Sequence, residues 1–227
     1  MNKLFSFLAL LLLPAALWAQ DKGTFASGFF GSYRSWNAQD GMDFLGIVTG
    51  ADGKAAKLSA GLHADWFFMD NLSLVATVEY SNVAFDGNSA NIAGLLSISN
   101  KHTRSENYMA ALGVRKYLPL FGSRIFALFG EGRICASRGY SKNYSETERG
   151  KEGTYSDLYS ADIQMISGLS VFLMERMALQ VSIPVGGVGY EWEKQTEAQV
   201  KNSSFTSLAI YSDFDLLQIK FGISYLF

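Results

Sequence analysis

The chain ends in a stretch with a strict two-residue period, Leu217-Gln-Ile-Lys-Phe-Gly-Ile-Ser-Tyr-Leu-Phe227. Every second residue from Leu217 is apolar or aromatic, whereas the residues between them include Gln218, Lys220 and Ser224. A β-strand points successive side chains to opposite faces, so this pattern predicts a strand with one apolar and one polar face. Phe227 is the last residue of the apolar face.

Seven earlier segments show the same alternation, and the first of them shows it least clearly. They are 24–34, 58–68, 72–80, 108–115, 126–134, 159–171 and 177–185. Each has about the 9–11 residues of a tilted membrane-spanning strand. Three short turns alternate with four long polar stretches along the chain. The short turns are 69–71, 119–123 and 174–176, and the long stretches are 35–55, 87–104, 140–156 and 191–212.

This alternation predicts an all-β fold, an eight-stranded antiparallel up-and-down transmembrane β-barrel with short periplasmic turns and four long extracellular loops. A soluble β-sandwich is the alternative, but Greek-key connections would not alternate so regularly in length. The closing strand is expected to pair with the first, near Phe25 to Arg34.

Charged residues fall on the polar faces of the predicted strands. Eight are expected in the barrel interior: Arg34, Asp65, Glu79, Arg115, Glu131, Arg133, Asp162 and Lys220. A Lys or Arg that faces lipid at mid-bilayer costs roughly 2–4 kcal/mol, so these charges fix the strand register. Eight strands leave room only for side chains or a small ligand, so we expect an interior ion-pair network that fills the lumen. A proton or ion path is the functional alternative.

The first residues have the layout of a secretory signal. Lys3 precedes an apolar stretch, 4–13, and small residues follow as far as Ala19. That stretch is shorter than the ~20 residues of a spanning helix, which disfavours a retained anchor. We expect residues 1–19 to be a cleaved signal peptide and 20–227 to form the barrel domain. Cys135 is the sole cysteine, so no internal disulfide can form.

Composition narrows the function classes. The net charge is −2, with no basic stripe, which gives no indication of a nucleic-acid partner. Aromatic residues make up 14% of the chain and are expected in two girdles at the headgroup zones. The periplasmic girdle would contain Trp66, Phe68, Phe121, Tyr225 and Phe227. The outer girdle would contain Tyr33, Trp36, Tyr80, Tyr108, Tyr159, Tyr190 and Trp192.

With these features the chain resembles small outer-membrane barrels of the class formed by OmpX and the OmpA transmembrane domain. The resemblance covers the whole mature chain and implies residence in the outer membrane of a Gram-negative cell. It also implies that Phe221, Ile223, Tyr225 and Phe227 form a C-terminal insertion signal. The implied partners are outer-membrane lipids and lipopolysaccharide, the barrel-assembly machinery and periplasmic chaperones. We expect a monomer without a cofactor.

Enzyme and metal sites receive little support from the sequence. His63 is expected as a hydrogen-bonded interior residue, and His102 lies near Ser105 and Glu106 in a polar stretch. Asp40, Asp43 and Asp52 lack dense metal-ligand spacing. The Gly-rich run 186–189 is not followed by a convincing helix, so a nucleotide loop is disfavoured. The leading hypothesis is a structural or surface-interaction barrel. A narrow channel or small-ligand carrier and a lipid A-modifying enzyme are the alternatives.

Overall fold

A computed structural model describes residues 21–44, 48–92, 96–123, 125–147, 150–174, 176–197, 200–211 and 219–227. The predicted signal peptide lies outside the described residues. The strands are β1 (Phe25–Phe44), β2 (Val48–Met69), β3 (Leu72–Ile92), β4 (Leu96–Pro119), β5 (Phe126–Thr147), β6 (Gly150–Met174), β7 (Met177–Glu197), β8 (Val200–Tyr211) and β9 (Lys220–Leu226). A short 3₁₀ turn covers Leu120–Gly122. The described residues include no helix of the length and apolarity needed to cross a membrane.

The strands close into a ring with eight strand positions. Neighbours along the chain pair antiparallel from β1 to β7, and β8 and β9 both pair with β7. β8 and β9 therefore share the eighth strand position of the barrel. The ring closes between β9 and β1, from Ala26 opposite Leu226 to Gly31 opposite Phe221. This confirms both the eight-stranded antiparallel barrel and the predicted pairing of the first and last strands.

The strands extend far beyond the segments that the alternation predicted. β6 alone has 25 residues, whereas a tilted strand needs only about 9–11 to cross the apolar core. The stretch 140–156, expected as a loop, is mostly paired strand, because β5 continues to Thr147 and β6 begins at Gly150. Along 140–156 polar and charged residues occur on both faces, with tyrosines among them. The period-two signal that marks a lipid-facing strand is therefore missing from this stretch, although its backbone still pairs.

An apolar belt surrounds the barrel. Leu62, Leu112 and Ile134 point outward and are 60%, 63% and 68% exposed. Exposure of this size in so many large apolar side chains is what a lipid-facing surface requires. Aromatic pairs border the belt at both ends: Tyr80 and Tyr108 have ring centroids 5.1 Å apart at the long-hairpin end, and Tyr225 and Phe227 lie 5.0 Å apart at the short-turn end.

A bulge in β7 changes which residues face outward. Met165 pairs with Gly186 whereas Ile166 pairs with Pro184, so Val185 has no counterpart on β6. One extra residue reverses the alternation of a strand. Leu179 faces outward before the bulge, and Val188 and Tyr190 are exposed after it. The bulge therefore carries the outer aromatic residues of β7 to the lipid side.

Candidate functional site

An ion cluster centred on Arg115 lies in the lumen. The guanidinium donates to Glu131 Oε2 from Nε at 2.9 Å and from Nη2 at 2.7 Å. Its Nη1 donates to Asp65 Oδ2 at 3.1 Å and to Gln180 Oε1 at 3.4 Å. Tyr117 adds a hydroxyl that donates to Asp65 Oδ2 at 3.3 Å. All three charged side chains are buried. The alternation of β2, β4 and β5 brings them together because each lies on an inward position.

Below this cluster, towards the short turns, aromatic rings pack together in the barrel interior. Phe67, Tyr117, Phe129 and Phe172 are buried in one apolar cluster. Tyr117 lies centrally, with its ring centroid 5.5 Å from that of Phe67 and 5.8 Å from that of Phe129. Arg115 joins the two layers, since its Cζ lies 4.6 Å from the centroid of Phe129. Sequence reasoning missed this layer because Phe67 stands between the outward residues Trp66 and Phe68.

A second ion pair crosses the lumen nearer the outer end. Lys220 Nζ donates to both carboxylate oxygens of Glu79, each at 2.6 Å. Its ammonium also lies 5.4 Å from the ring centroid of Phe30. The pair joins β9 to β3, which are separated in the ring by β1 and β2.

The remaining residues of the expected network are distributed separately. Arg133 donates to Gln164 Oε1 at 2.8 Å from Nη2. Asp162 accepts from the Ser160 hydroxyl at 2.6 Å. Arg34 forms no ion pair with a described residue, and it lines the lumen beside Lys57. The structure thus joins five of the eight charges in two ion-paired groups and gives Arg133 and Asp162 neutral partners.

Two small cavities adjoin these ion pairs. One of about 240 Å³ is lined by both the Arg115 cluster and the Lys220–Glu79 pair. The other, of about 70 Å³, lies on the outer side of that pair and is lined by Arg34, Lys57 and Glu79. The Lys220–Glu79 pair contributes to the walls of both. The geometry can hold water or a small polar molecule in the lumen, between two layers of side chains.

The two histidines have different surroundings. His63 is buried, and its Nε2 lies 2.9 Å from Ser224 Oγ. His102 lies on the outer hairpin of β3 and β4, where its Nδ1 is 2.7 Å from Asp86 Oδ1 and Arg104 Nη2 is 2.9 Å from Asp86 Oδ2. These contacts, with that of Arg104 the strongest, hold the pKa of the Asp86 carboxyl below its ordinary value. Ser105 is on the opposite face of β4, so the Ser-His-acid set considered for His102 is not assembled.

The remaining candidates from the sequence are a metal site, a nucleotide-binding loop and Cys135. No group of three or more His, Cys, Asp or Glu side chains suitable for a metal occurs in the described part of the chain. The side chains of Asp40, Asp43 and Asp52 are outside it. The run Gly186–Gly189 belongs to β7, so the nucleotide-loop interpretation has no structural basis. Cys135 is buried on the inner face of β5.

The residues expected as an insertion signal face outward on β9 and just beyond it. Phe221, Ile223 and Tyr225 are all exposed, and Phe227 is 72% exposed. The backbone N–H of Phe227 donates to the carbonyl oxygen of Phe25 at 2.7 Å, so the terminal residue is tied to β1. The chain end is therefore part of the barrel wall.

No family model matches the sequence, and no curated protein matches it. Solved structures do show similarity. The outer membrane protein OprG from Pseudomonas aeruginosa aligns with a TM-score of 0.51 at 16% identity, over 93% of this chain and 99% of that one. The fold is that of an outer-membrane β-barrel. Lower scores link this barrel to the translocator domain of the Neisseria meningitidis autotransporter NalP (TM-score 0.47, 11% identity, 99% and 93% coverage) and to Ail of Yersinia pestis (0.39, 10%, 91% and 99%).

Proposed function

We propose that this barrel is an integral outer-membrane protein with a closed lumen, whose tall hairpins act as a rigid contact surface outside the cell. The observation that carries the proposal is the pair of layers across the lumen. The aromatic layer around Tyr117 and the Arg115 cluster are buried one above the other in the interior at the short-turn end. An eight-stranded barrel has only enough interior for such filling. Ion passage would require both layers to rearrange.

The hairpins support the surface role. About 25 Å of apolar band suffices for lipid, yet the paired strands β3 and β4 continue past Tyr80 and Tyr108 as far as Ile92 and Leu96. At roughly 3.3 Å per residue, twelve residues add about 40 Å of strand beyond the girdle. Hydrogen-bonded pairing makes this extension stiffer than a loop, so it loses less conformational entropy when a partner binds. We expect the partner surface to lie there.

Planar-bilayer conductance of the purified barrel tests the closed lumen. We expect no steady current above leak from the native chain. A Phe67→Ala/Phe129→Ala variant, which thins the aromatic layer, should raise the frequency of brief openings. The matched control is Phe29→Ala/Leu62→Ala, which truncates residues on the lipid side and should leave the current at leak. A steady open state of the native chain would overturn the proposal.

A narrow channel or small-ligand carrier is the second candidate, because the polar cavity of about 240 Å³ lies directly in the lumen. A carrier predicts exchange of a small polar solute without steady ion current. Liposome-swelling with small uncharged sugars separates the two candidates, since a closed barrel gives no swelling and a carrier gives a slow, saturable rate.

The C-terminal strand carries the residues expected to be recognised during membrane insertion. We propose that the outward residues Phe221, Ile223, Tyr225 and Phe227 are read by the barrel-assembly machinery. Replacing Phe227 by Ser should lower the amount of heat-modifiable barrel in the outer membrane and leave synthesis unchanged. A Phe121→Ser variant, altered at an aromatic residue in a turn that is even more exposed than Phe227, should insert normally. Normal insertion of Phe227→Ser would contradict this role.

A further inference from the structure

Directly beyond the apolar belt, β5, β6 and β7 carry cations and aromatic rings on their outward faces. We call this the cation–aromatic patch, and it comprises Arg138, Lys142, Tyr155, Tyr159, Trp192 and Lys194. The strand register places Arg138 opposite Tyr159, and Tyr159 opposite Trp192, so these three form one row across the wall. The rings of Tyr159 and Trp192 stack with centroids 5.6 Å apart and an interplanar angle of 8°.

The patch lies at the height of lipid headgroups. On β5, Phe126 begins the apolar belt at the short-turn end and Ile134 lies within it. Arg138 is twelve residues beyond Phe126, which corresponds to about 30 Å along the axis for a strand tilted by roughly 40°. An apolar band about 25 Å tall therefore ends just below Arg138. An outward-facing cation is favourable at the height of Arg138, because it lies among headgroups. One or two residues nearer the short turns it would face the apolar band, where a charge is costly.

Ring faces position the cations. Arg138 Cζ lies 5.5 Å from the ring centroid of Tyr159, and Lys194 Nζ lies 5.8 Å from the same centroid. Lys142 Nζ is 5.9 Å from the centroid of Tyr155. These cation–π contacts orient the charged groups without using their N–H donors. None of the three cations forms an ion pair with a described residue, so their donors are available to an anionic ligand.

Among the described side chains, two acids share this surface. Asp157 lies on the same face, opposite Lys194 in the register, and Glu106 is opposite Tyr140 on the neighbouring strand pair. The three cations of the patch still exceed these two carboxylates. The row formed by Arg138, Tyr159 and Trp192 contains no acid and is the row closest to the membrane. An anion at headgroup height would therefore meet Arg138 first.

An apolar groove leads away from Arg138 into the belt. Its volume is about 820 Å³, and its lining on the outer wall includes the small residues Ala60, Ala110 and Ala136, with Tyr108 and Arg138 at the outer end. Small side chains in a row of large ones leave a channel that suits a hydrocarbon chain. The cation is thus placed at the headgroup end of a groove for acyl chains.

We propose that the cation–aromatic patch and this groove bind a phosphorylated, acylated glycolipid of the outer leaflet, the lipid A part of lipopolysaccharide. The phosphate accepts hydrogen bonds from Arg138 and Lys194, the sugar lies on the face of Trp192, and an acyl chain fills the groove. The inference rests on the proposed outer-membrane function, because only that orientation places the patch in the outer leaflet. Arginine suits the phosphate since its planar fork can donate two hydrogen bonds.

Native mass spectrometry of the full mature barrel in neutral detergent tests this assignment. The probes are purified lipid A, chemically dephosphorylated lipid A and phosphatidylglycerol, each added at the same concentrations. We expect one tightly bound lipid A, with binding weakened about tenfold or more on dephosphorylation, as expected from the loss of charge-assisted hydrogen bonds. An Arg138→Met/Lys194→Met variant should bind the two forms of lipid A equally. The matched control, Lys54→Met/Lys116→Met, removes two exposed lysines away from the patch and should keep the native preference.

Three results would overturn the assignment: equal binding of the two lipid A forms by the native chain, an unchanged preference in Arg138→Met/Lys194→Met, or binding of phosphatidylglycerol as tight as that of lipid A. The heat-modifiable gel shift of the same samples and their recovery in the outer-membrane fraction report the proposed function separately. A barrel that inserts normally without the lipid preference removes this inference alone. A chain recovered only in the soluble periplasm removes the proposed function as well.

Discussion

Lys220 and Glu79 are 141 residues apart in the sequence, yet the ammonium lies 2.6 Å from each carboxylate oxygen. The contact joins the C-terminal strand to β3 across the lumen. Their side chains are 19% and 9% exposed, so the pair is largely shielded from water. An interaction of this kind depends on closure of the ring, since β3 and β9 are not neighbours in the sheet.

The Lys220–Glu79 pair should therefore behave as a coupled unit in unfolding. Lys220→Met leaves the Glu79 carboxylate in the lumen without its cation, and breaking a buried pair typically costs about 3–5 kcal/mol. The residual exposure of Lys220 places the expected loss at the lower end. Lys220→Met/Glu79→Leu removes both charges and should recover most of it. The free energy of unfolding by urea in lipid vesicles measures both effects, and a double variant as unstable as Lys220→Met would contradict the coupling.

Arg115 should be more sensitive still, because it neutralises two carboxylates. Arg115→Met leaves Asp65 and Glu131 buried close to one another, so we expect a loss of at least about 3–5 kcal/mol in the free energy of unfolding. The adjacent Lys116 is exposed on the outer wall, and Lys116→Met should change stability by less than about 0.5 kcal/mol. Equal effects of the two substitutions would show that the Arg115 cluster contributes no more than a surface charge.

Packing of the aromatic layer depends on Gly168. A methyl group at this position would overlap Phe129 Cζ and the carbonyl oxygen of Val181. Overpacking of this kind costs about 1–3 kcal/mol, so Gly168→Ala should lower the midpoint of urea unfolding. At Gly132, a Cβ would meet nothing within 4 Å, which makes Gly132→Ala the matched control. The added substitution Phe129→Leu should partly rescue Gly168→Ala, and an absence of rescue would argue against the clash with this ring.

Acid should loosen the outer hairpin of β3 and β4. Asp86 has its pKa held below the ordinary 3.8 by Arg104 and then by His102. Its stabilising contribution is therefore complete above 3.8 and is lost as pH falls through the lower folded-state pKa. The side chain is 42% exposed, so the contribution is at most about 1 kcal/mol. The difference in unfolding free energy between the native chain and Asp86→Asn should vanish below that window. Convergence of the two chains only well above pH 3.8 would contradict the role of Asp86.

The sequence predicts the part of the fold that lipid dictates. The alternation from Leu72 to Tyr80, for example, assigns an outward face that the structure reproduces, because a charge on that face would be expensive. Pairing between distant residues could not be predicted in the same way. The partners of Arg115 come from β2, β5 and β7, and their meeting depends on the stagger of the closed barrel.

Two further features escaped the sequence for identifiable physical reasons. Beyond the girdles water reaches the outer wall of the barrel, so the strand extensions around residues 140–156 carry no period-two signal. The bulge at Val185 lies in a run of small and apolar residues, where either alternation is acceptable until Tyr190 and Trp192. The cation–aromatic patch could not be predicted from the sequence either. Its cross-strand rows become apparent only when β5, β6 and β7 are placed in register.

The seam between β1 and β9 has a consequence for how the barrel is made. It joins β1 to the C-terminal strand, and among the described residues its register runs from Ala26–Leu226 to Gly31–Phe221. Contacts this distant in sequence form late, because a long segment must be ordered before they can pair. We therefore expect the seam to be the last strand pair to form during biogenesis. A cysteine pair across Ser27 and Tyr225, which are opposite each other in the register, would trap the finished ring and report the time of its closure.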